Sequence, residues 1–419
     1  GAVSAGPISG GLAGTTAATT LLSKMLSAGD ARYKRNIIAA STPAIPVVIF
    51  SGEGHDGEYM VASNVDVVAG GFGARAWRDG DEVAGFMMSP ACRIPNIEHQ
   101  EQSYPIMYLY RREAVDSGGA GRFRGGAGGE SAVISLEGKS ISFMLGSHGM
   151  AFPAGAGLAG GLPAKSVTYR VLRDADMRTR LPHGDLPGSV EAIGGALEWP
   201  HAKAAELEIG SRDVFTVNWA GGGGYGDPLE RDPEAVAHDV RELYVTTKQA
   251  RHAYGVVLNG DAVDADATRT LREELRGTRI GAGPLPEPDA ATLPEGAVWL
   301  DDHLHVSATG AVGCARCGHP LSQPGDSYKT GAVPREIDLV ENGLAWIDPR
   351  HYIDDPVVMR EFACPGCGVA LASEVTRPEV APLDDMVLAR SAQHNGLLDG
   401  LGDDGNVEEF ELEDIAVDA

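Results

Sequence analysis

The sequence predicts an α+β protein, a β-rich body with a few helices followed by a small β domain built on paired cysteines. From "NIIAAS" to about Val217 the chain consists of short apolar runs broken by glycine and proline, the pattern of strands and turns. After the glycine run Gly221–Gly224 it changes to capped helical patterns, and two C-x-x-C pairs follow near the C-terminal end. Composition agrees: 56 glycines and only 6% aromatics in 419 residues favour turns and close backbone packing, while 43% hydrophobic content sustains a core.

Leu21, Leu22, Met25 and Leu26 recur at helical spacing, with Gly29 placed to end a first helix. The strand-like runs are then "IPVVIF", "EYMVAS", "PIMYLYRR", "SAVISLEG", "SISFML", "SVTYRVL" and "DVFTVNW". Asp232 is an N-cap and Pro233 suits the first turn behind it, so a helix follows. A second helix runs from about Thr247 to Tyr254, stopped by Gly255. A third starts at Asp264 or Asp266 and passes through Leu271 and Leu275 to Gly277. Residues 281–292 hold three prolines and no periodicity, which makes them a linker between a body at 1–280 and a compact block at 293–388. Residues 389–419 read as an acidic, mobile tail, with docking through Phe410, Leu412 and Ile415 as the alternative. The chain starts at Gly1, not methionine, in a stretch that reads like the middle of a protein; a fragment or processed product is expected.

The formal net charge is −25, and so acidic a surface repels nucleic acid and anionic membrane. No apolar run reaches membrane-span length, and the start is not signal-like, so the expected location is cytoplasmic.

Cys314-Ala-Arg-Cys317 and Cys364-Pro-Gly-Cys367 are each followed by glycine, Gly318 and Gly368. Two such knuckles present four thiolates tetrahedrally, the geometry zinc accepts, around a long excursion from Gly318 to Ala363. A redox role needs one pair near a βαβ unit and fits two pairs poorly. Four sulfurs fill the coordination shell, so the zinc is structural, and His319 falls outside the ligand set. Cys92 stands apart as an ordinary buried thiol.

"DSGGAGRFRGGAGG" is either an anion loop carrying Arg122 and Arg124 or a tight glycine turn. It lacks the lysine and spacing of a phosphate-binding loop, which favours the turn. In "IEHQEQSYP", Glu98, His99 and Glu101 offer acid–base or metal chemistry if they share a cavity. In an extended segment Glu98 and His99 would face opposite ways, and a solvated loop is the alternative. His148, in a glycine-rich setting, borders a pocket or a polar turn, and the same choice holds for His55 and Asp56. There is no nucleophile elbow, no H-E-x-x-H and no dinucleotide fingerprint.

"GGFGARAWRDG", "IEHQEQSYP", "DSGGAGRFRGGAGG", "FPAGAGLAGG", "GGGGYGDPLERDPEAVAHDV" and "ARHAYGVVL", in that order, resemble the C-terminal part of the hydantoinase B/oxoprolinase family, which includes large subunits of acetone and acetophenone carboxylases. The block from about 295 to 388, with "REFACPGCGVALASEV", resembles the small zinc-containing gamma subunit of acetone carboxylase. Together these imply a subunit or fragment of an ATP-dependent ketone carboxylase complex. ATP and magnesium would sit on a hydantoinase A-like partner, with a small ketone and bicarbonate as substrates. The resemblance also implies that the family's catalytic metal motifs lie outside this chain, on a missing N-terminal part or a separate half-subunit. Glu98, His99, Glu101 and His148 would then wall the reaction chamber. Hydantoinase or 5-oxoprolinase-type ring hydrolysis and a non-catalytic scaffold remain the alternatives.

Overall fold

The computed structural model describes residues 20–23, 36–42, 44, 46–63, 66, 69–85, 94–136, 139–147, 149–289 and 292–386. Of the first predicted helix, 20–23 is helical, while Met25 and Leu26 lie outside the described residues, as do Cys92, His148 and the acidic tail.

Two antiparallel sheets make the body. One has the order β2-β1-β5-β8, from β1 (Val47–Glu53), β2 (Tyr59–Ser63), β5 (Ile141–Gly146) and β8 (Lys203–Ile209). The other has the order β3-β4-β9-β6-β7, from β3 (Ile106–Glu113), β4 (Gly129–Ser135), β6 (Thr168–Arg173), β7 (Ala196–Glu198) and β9 (Val214–Asn218). Their facing sides share one core, with Val48 and Phe50 from β1, Phe143 from β5, and Tyr169, Phe215 and Val217 from the second sheet. Phe143 meets Phe215 edge-on at 4.7 Å, a geometry that adds to area burial. Every residue of β9 is buried, because the far face of its sheet is covered too, by Met177, Val190 and Ile193 around α2 (Met177–Arg180).

All seven strand-like runs contain strands, whereas β7 and β8 carry no such signal. β8, "KAAELEI", alternates small and charged residues on an exposed edge and buries only Ile209. "IEHQEQS" is not extended but forms α1 (Ile97–Ser103), capped by Asn96, whose side chain accepts from the Glu98 amide.

The glycine-rich segments run through one another. Gly119 N–H donates to Gly222 O, Gly222 to Gly126 O, Gly126 to Phe72 O, Ala74 to Gly223 O and Leu158 to Gly224 O. A Cβ on Gly125 would stand 1.8 Å from Gly222 O, so no side chain fits between these backbones. The loop of Arg122 and Arg124 is one strand of this weave.

Behind it come α3 (Pro233–Arg241), α4 (Thr247–His252) and α5 (Ala265–Arg279), each N-capped by the preceding Asp232, Thr246 or Asp264 side chain, with a short hairpin of β10 (Leu258–Asn259) and β11 (Ala262–Val263) between α4 and α5. The third helix does not stop at Gly277. It runs to Arg279, and Gly277 is instead a place where the returning chain presses on the helix, with Gly283 O 2.0 Å from where its Cβ would stand.

The C-terminal region contains two small antiparallel sheets, in the orders β12-β13-β14-β15 (Val298–Trp299, Leu304–Val306, Val312–Cys314, Pro320–Ser322) and β16-β17-β18 (Val333–Ile337, Val358–Ala363, Ala370–Thr376). Leu304, Val306, Phe362 and Leu371 pack with the cysteines between them. Among the described residues no helix is long and apolar enough to cross a membrane.

Candidate metal centre

Cys314 ends β14, and Cys364 follows β17 directly. In each knuckle the glycine after the second cysteine has positive φ, 76° at Gly318 and 70° at Gly368, and turns its N–H back to the first cysteine's carbonyl at 2.8 Å. The returning strand closes each turn, with Cys314 N–H on His319 O and Cys364 N–H on Val369 O.

The four Sγ atoms all lie within 4.8 Å of one another, with Cys314–Cys367 at 3.8 Å and Cys317–Cys364 at 3.6 Å. Zn–S bonds of about 2.3 Å arranged tetrahedrally have S–S edges of about 3.8 Å, so the site fits zinc. The same separations are far beyond a disulfide bond of about 2.05 Å. The Cys314 thiol, and then the backbone N–H groups of His319 and Gly366, lower the pKa of Cys317 and Cys364, while the neighbouring sulfurs raise those of Cys314 and Cys367. His319, half-buried, serves through its backbone.

The second knuckle is bolted to the body. The Arg279 guanidinium donates to both oxygens of Asp227, at 2.6 and 2.9 Å, and to Gly368 O at 3.1 Å, while its Nε faces Glu361 at 3.2 Å. Asp227 also accepts from the Ala370 amide at 2.9 Å. Burial alone would raise the Asp227 carboxyl; Arg279 outweighs it and holds the group below the usual range. Beside this lock His303 Nε2 lies 3.0 Å from Glu230, which also faces Arg316 of the first knuckle at 3.0 Å. Burial favours neutral His303, but Glu230, Asp301 and Asp227 prevail and push its pKa up to about 9. Sequence reasoning did not find Asp227, Arg279, Glu361, Glu230 or His303. Asp227 stands in the quoted "GYGDP", yet its partners are distant in the chain and no spacing marks them.

Of the two loop arginines, the structure engages Arg124 inside the protein and places Arg122 at the surface. Arg124 is buried, pairs with Glu82 at 2.7 Å and Asp239 at 3.5 Å, and lies 4.6 Å from the Tyr244 ring centre. Those carboxylates take the charge an anion would need. Arg122 is exposed and rests on Phe123.

Glu98 and His99 are exposed on α1. Glu101 turns inward, and its carboxylate accepts from the Tyr108 amide at 2.7 Å. Its carbonyl pairs with His55 Nε2 at 2.9 Å. Asp56 accepts from the Glu58 amide, a turn role.

Comparison with known proteins matches two stretches of the chain to two family models. Residues 3–228 match the hydantoinase B/oxoprolinase family model, and residues 297–392 match that of the acetone carboxylase gamma subunit. The chain is 31% identical over 247 residues to the acetone carboxylase alpha subunit of Xanthobacter autotrophicus, covering 53% of this chain and 31% of that one. It is 34% identical over 226 residues to the caprolactamase beta subunit of Pseudomonas jessenii, covering 52% and 36%. The nucleotide-free acetone carboxylase structure superposes with a TM-score of 0.54 at 26% identity, covering 62% of this chain and 35% of that one. The chain thus spans about a third of the length of these relatives. With more than half of its residues matched by that family's model, the chain belongs to the hydantoinase B/oxoprolinase family.

Proposed function

We propose that this chain is a subunit or fragment of an ATP-dependent ketone carboxylase complex, carrying a gamma-type ribbon on the same polypeptide as the family body. The observation that carries this reading is the seam of Asp227, Arg279 and Glu361, which joins a ribbon of the acetone carboxylase gamma type to the family body as one buried unit. The four thiolates hold zinc, and since they fill its shell the metal is structural. ATP and magnesium bind on a hydantoinase A-like partner, a small ketone and bicarbonate are the substrates, and the catalytic metal lies outside this chain. The double-sheet body walls the chamber against water, which would protonate an enolate before it met carbon dioxide. The complex works in the cytoplasm, away from nucleic acid and membrane.

The similarity to a caprolactamase subunit favours a second reading, cyclic-amide hydrolysis. The test is to purify the chain with an actin-like ATPase partner and the N-terminal part of the large subunit, then measure ketone-dependent ATP hydrolysis with and without bicarbonate. Carboxylated product is expected only when ketone, ATP and bicarbonate are all present. Ring opening of hydantoin, oxoproline or caprolactam without ketone turnover would establish the second reading instead, and assembly with neither activity a scaffold.

A further inference from the structure

Lys165 lies where the body meets the ribbon's excursion. Its backbone N–H donates to Ser117 O at 2.9 Å, and its Nζ sits 3.5 Å from the ring centre of Trp346, whose Nε1–H is fixed on Ser166 O at 2.8 Å. Among the described residues no carboxylate or hydrogen-bond acceptor pairs with this Nζ. Lys329 makes the contrast: buried in the same chain, it has Glu374 at 3.1 Å and Asp385 at 3.3 Å. Lys165 lines a crevice of about 380 Å³ whose walls include the apolar Leu162, Val245 and Leu344.

Every charged group near the amine is engaged elsewhere. Asp116 caps Thr246 through N–H at 2.7 Å and Oγ1 at 2.8 Å. Arg170 stands 4.9 Å from the centre of the same Trp346 ring and pairs with Glu130 at 3.1 Å and Glu191 at 3.2 Å. Burial, with Arg170 adding to it and Asp116, Glu191 and Glu130 opposing, brings the Lys165 pKa down to about 8. Roughly a tenth of such amines are neutral at pH 7, far more than for an ordinary lysine.

A desolvated lysine beside another cation, open to an apolar crevice, is the arrangement that makes an amine nucleophilic. We propose that Lys165 takes a small ketone or aldehyde as a reversible Schiff base in this crevice. The neutral Nζ attacks the carbonyl carbon and a C–N bond forms; the two Nζ protons pass to the carbonyl oxygen, the C–O bond breaks as it leaves as water, and the nitrogen lone pair closes the C=N bond. No oxidant or metal is required. The inference rests on the crevice alone, so it stands or falls apart from the carboxylase reading.

The test uses the full chain with acetone and sodium cyanoborohydride, which reduces the imine to a stable isopropyl amine, followed by peptide mass spectrometry. The Lys165 peptide is expected to gain the adduct about tenfold faster than exposed Lys203 and Lys248, with a midpoint near pH 8. Lys165→Arg should lose that fast phase, and Trp346→Leu should diminish the preference while Lys203 is labelled as before. Equal labelling of all three lysines, or none at Lys165 in natively folded chain, would overturn the proposal.

Discussion

Serine in place of Cys314 puts a hard, protonated oxygen where the centre needs a soft thiolate, so Cys314→Ser should drop zinc from about one per chain to near zero by metal analysis. Retained zinc would mean a different ligand set. His303 supplies the pH prediction. Its folded pKa, about 9, is above the unfolded value near 6.5 because Glu230 holds the imidazolium. That stability is complete below pH 6.5 and is lost as pH rises through 9, on the order of 3 kcal/mol in all. Melting curves from pH 6 to 10 should show the loss in the native chain and little of it in Glu230→Gln. The cysteines were legible because a C-x-x-C-G turn is a local geometry written in five adjacent residues. His303 and Glu230 were not, since each is ordinary until folding sets them 3.0 Å apart. Arg124 shows the reverse: a glycine loop with arginine suggests an anion, and burial against Glu82 and Asp239 cancels it.

Elements were read well where they carry their own punctuation. Asp232, Thr246 and Asp264 cap helices by local hydrogen bonds, so their starts could be placed from sequence. Strand β8 and helix α1 could not, because one is an edge too polar to show a strand pattern and the other too short to show a helical period. Removing a cap, as in Asp232→Ala, should cost about 1 kcal/mol in denaturant unfolding. The weave should respond far more severely. Gly125→Ala sets a methyl against a backbone carbonyl that cannot move without displacing three other segments, and a loss above about 4 kcal/mol is expected, seen as collapse of soluble yield. Gly188→Ala, whose Cβ meets nothing within 4 Å, is the control and should be neutral or slightly stabilising. A comparable response of both variants would refute the steric account.

For the whole molecule the seam decides. Asp227→Asn takes one of two carboxylates from buried Arg279 and leaves it Glu361 alone, and a loss of about 3 kcal/mol is expected while zinc is retained. A specific protease site inserted between Pro288 and Asp289 makes the readout sharp. After cleavage the unsubstituted halves should still co-elute on gel filtration, and those carrying Asp227→Asn should separate; co-elution of both pairs would show the seam to be dispensable. The order of body and four-cysteine block was legible because composition changes along the chain. Their docking was not, since Asp227 and the Ala370 amide that it accepts from lie 143 residues apart with nothing local to link them. Because the polypeptide runs unbroken from α5 into the ribbon, docking is a unimolecular event. A short tether holds the two surfaces at an effective concentration in the millimolar range, so dilution cannot part them. Each body therefore meets one ribbon whatever the expression level, and opening of the seam follows temperature and pH but not protein concentration.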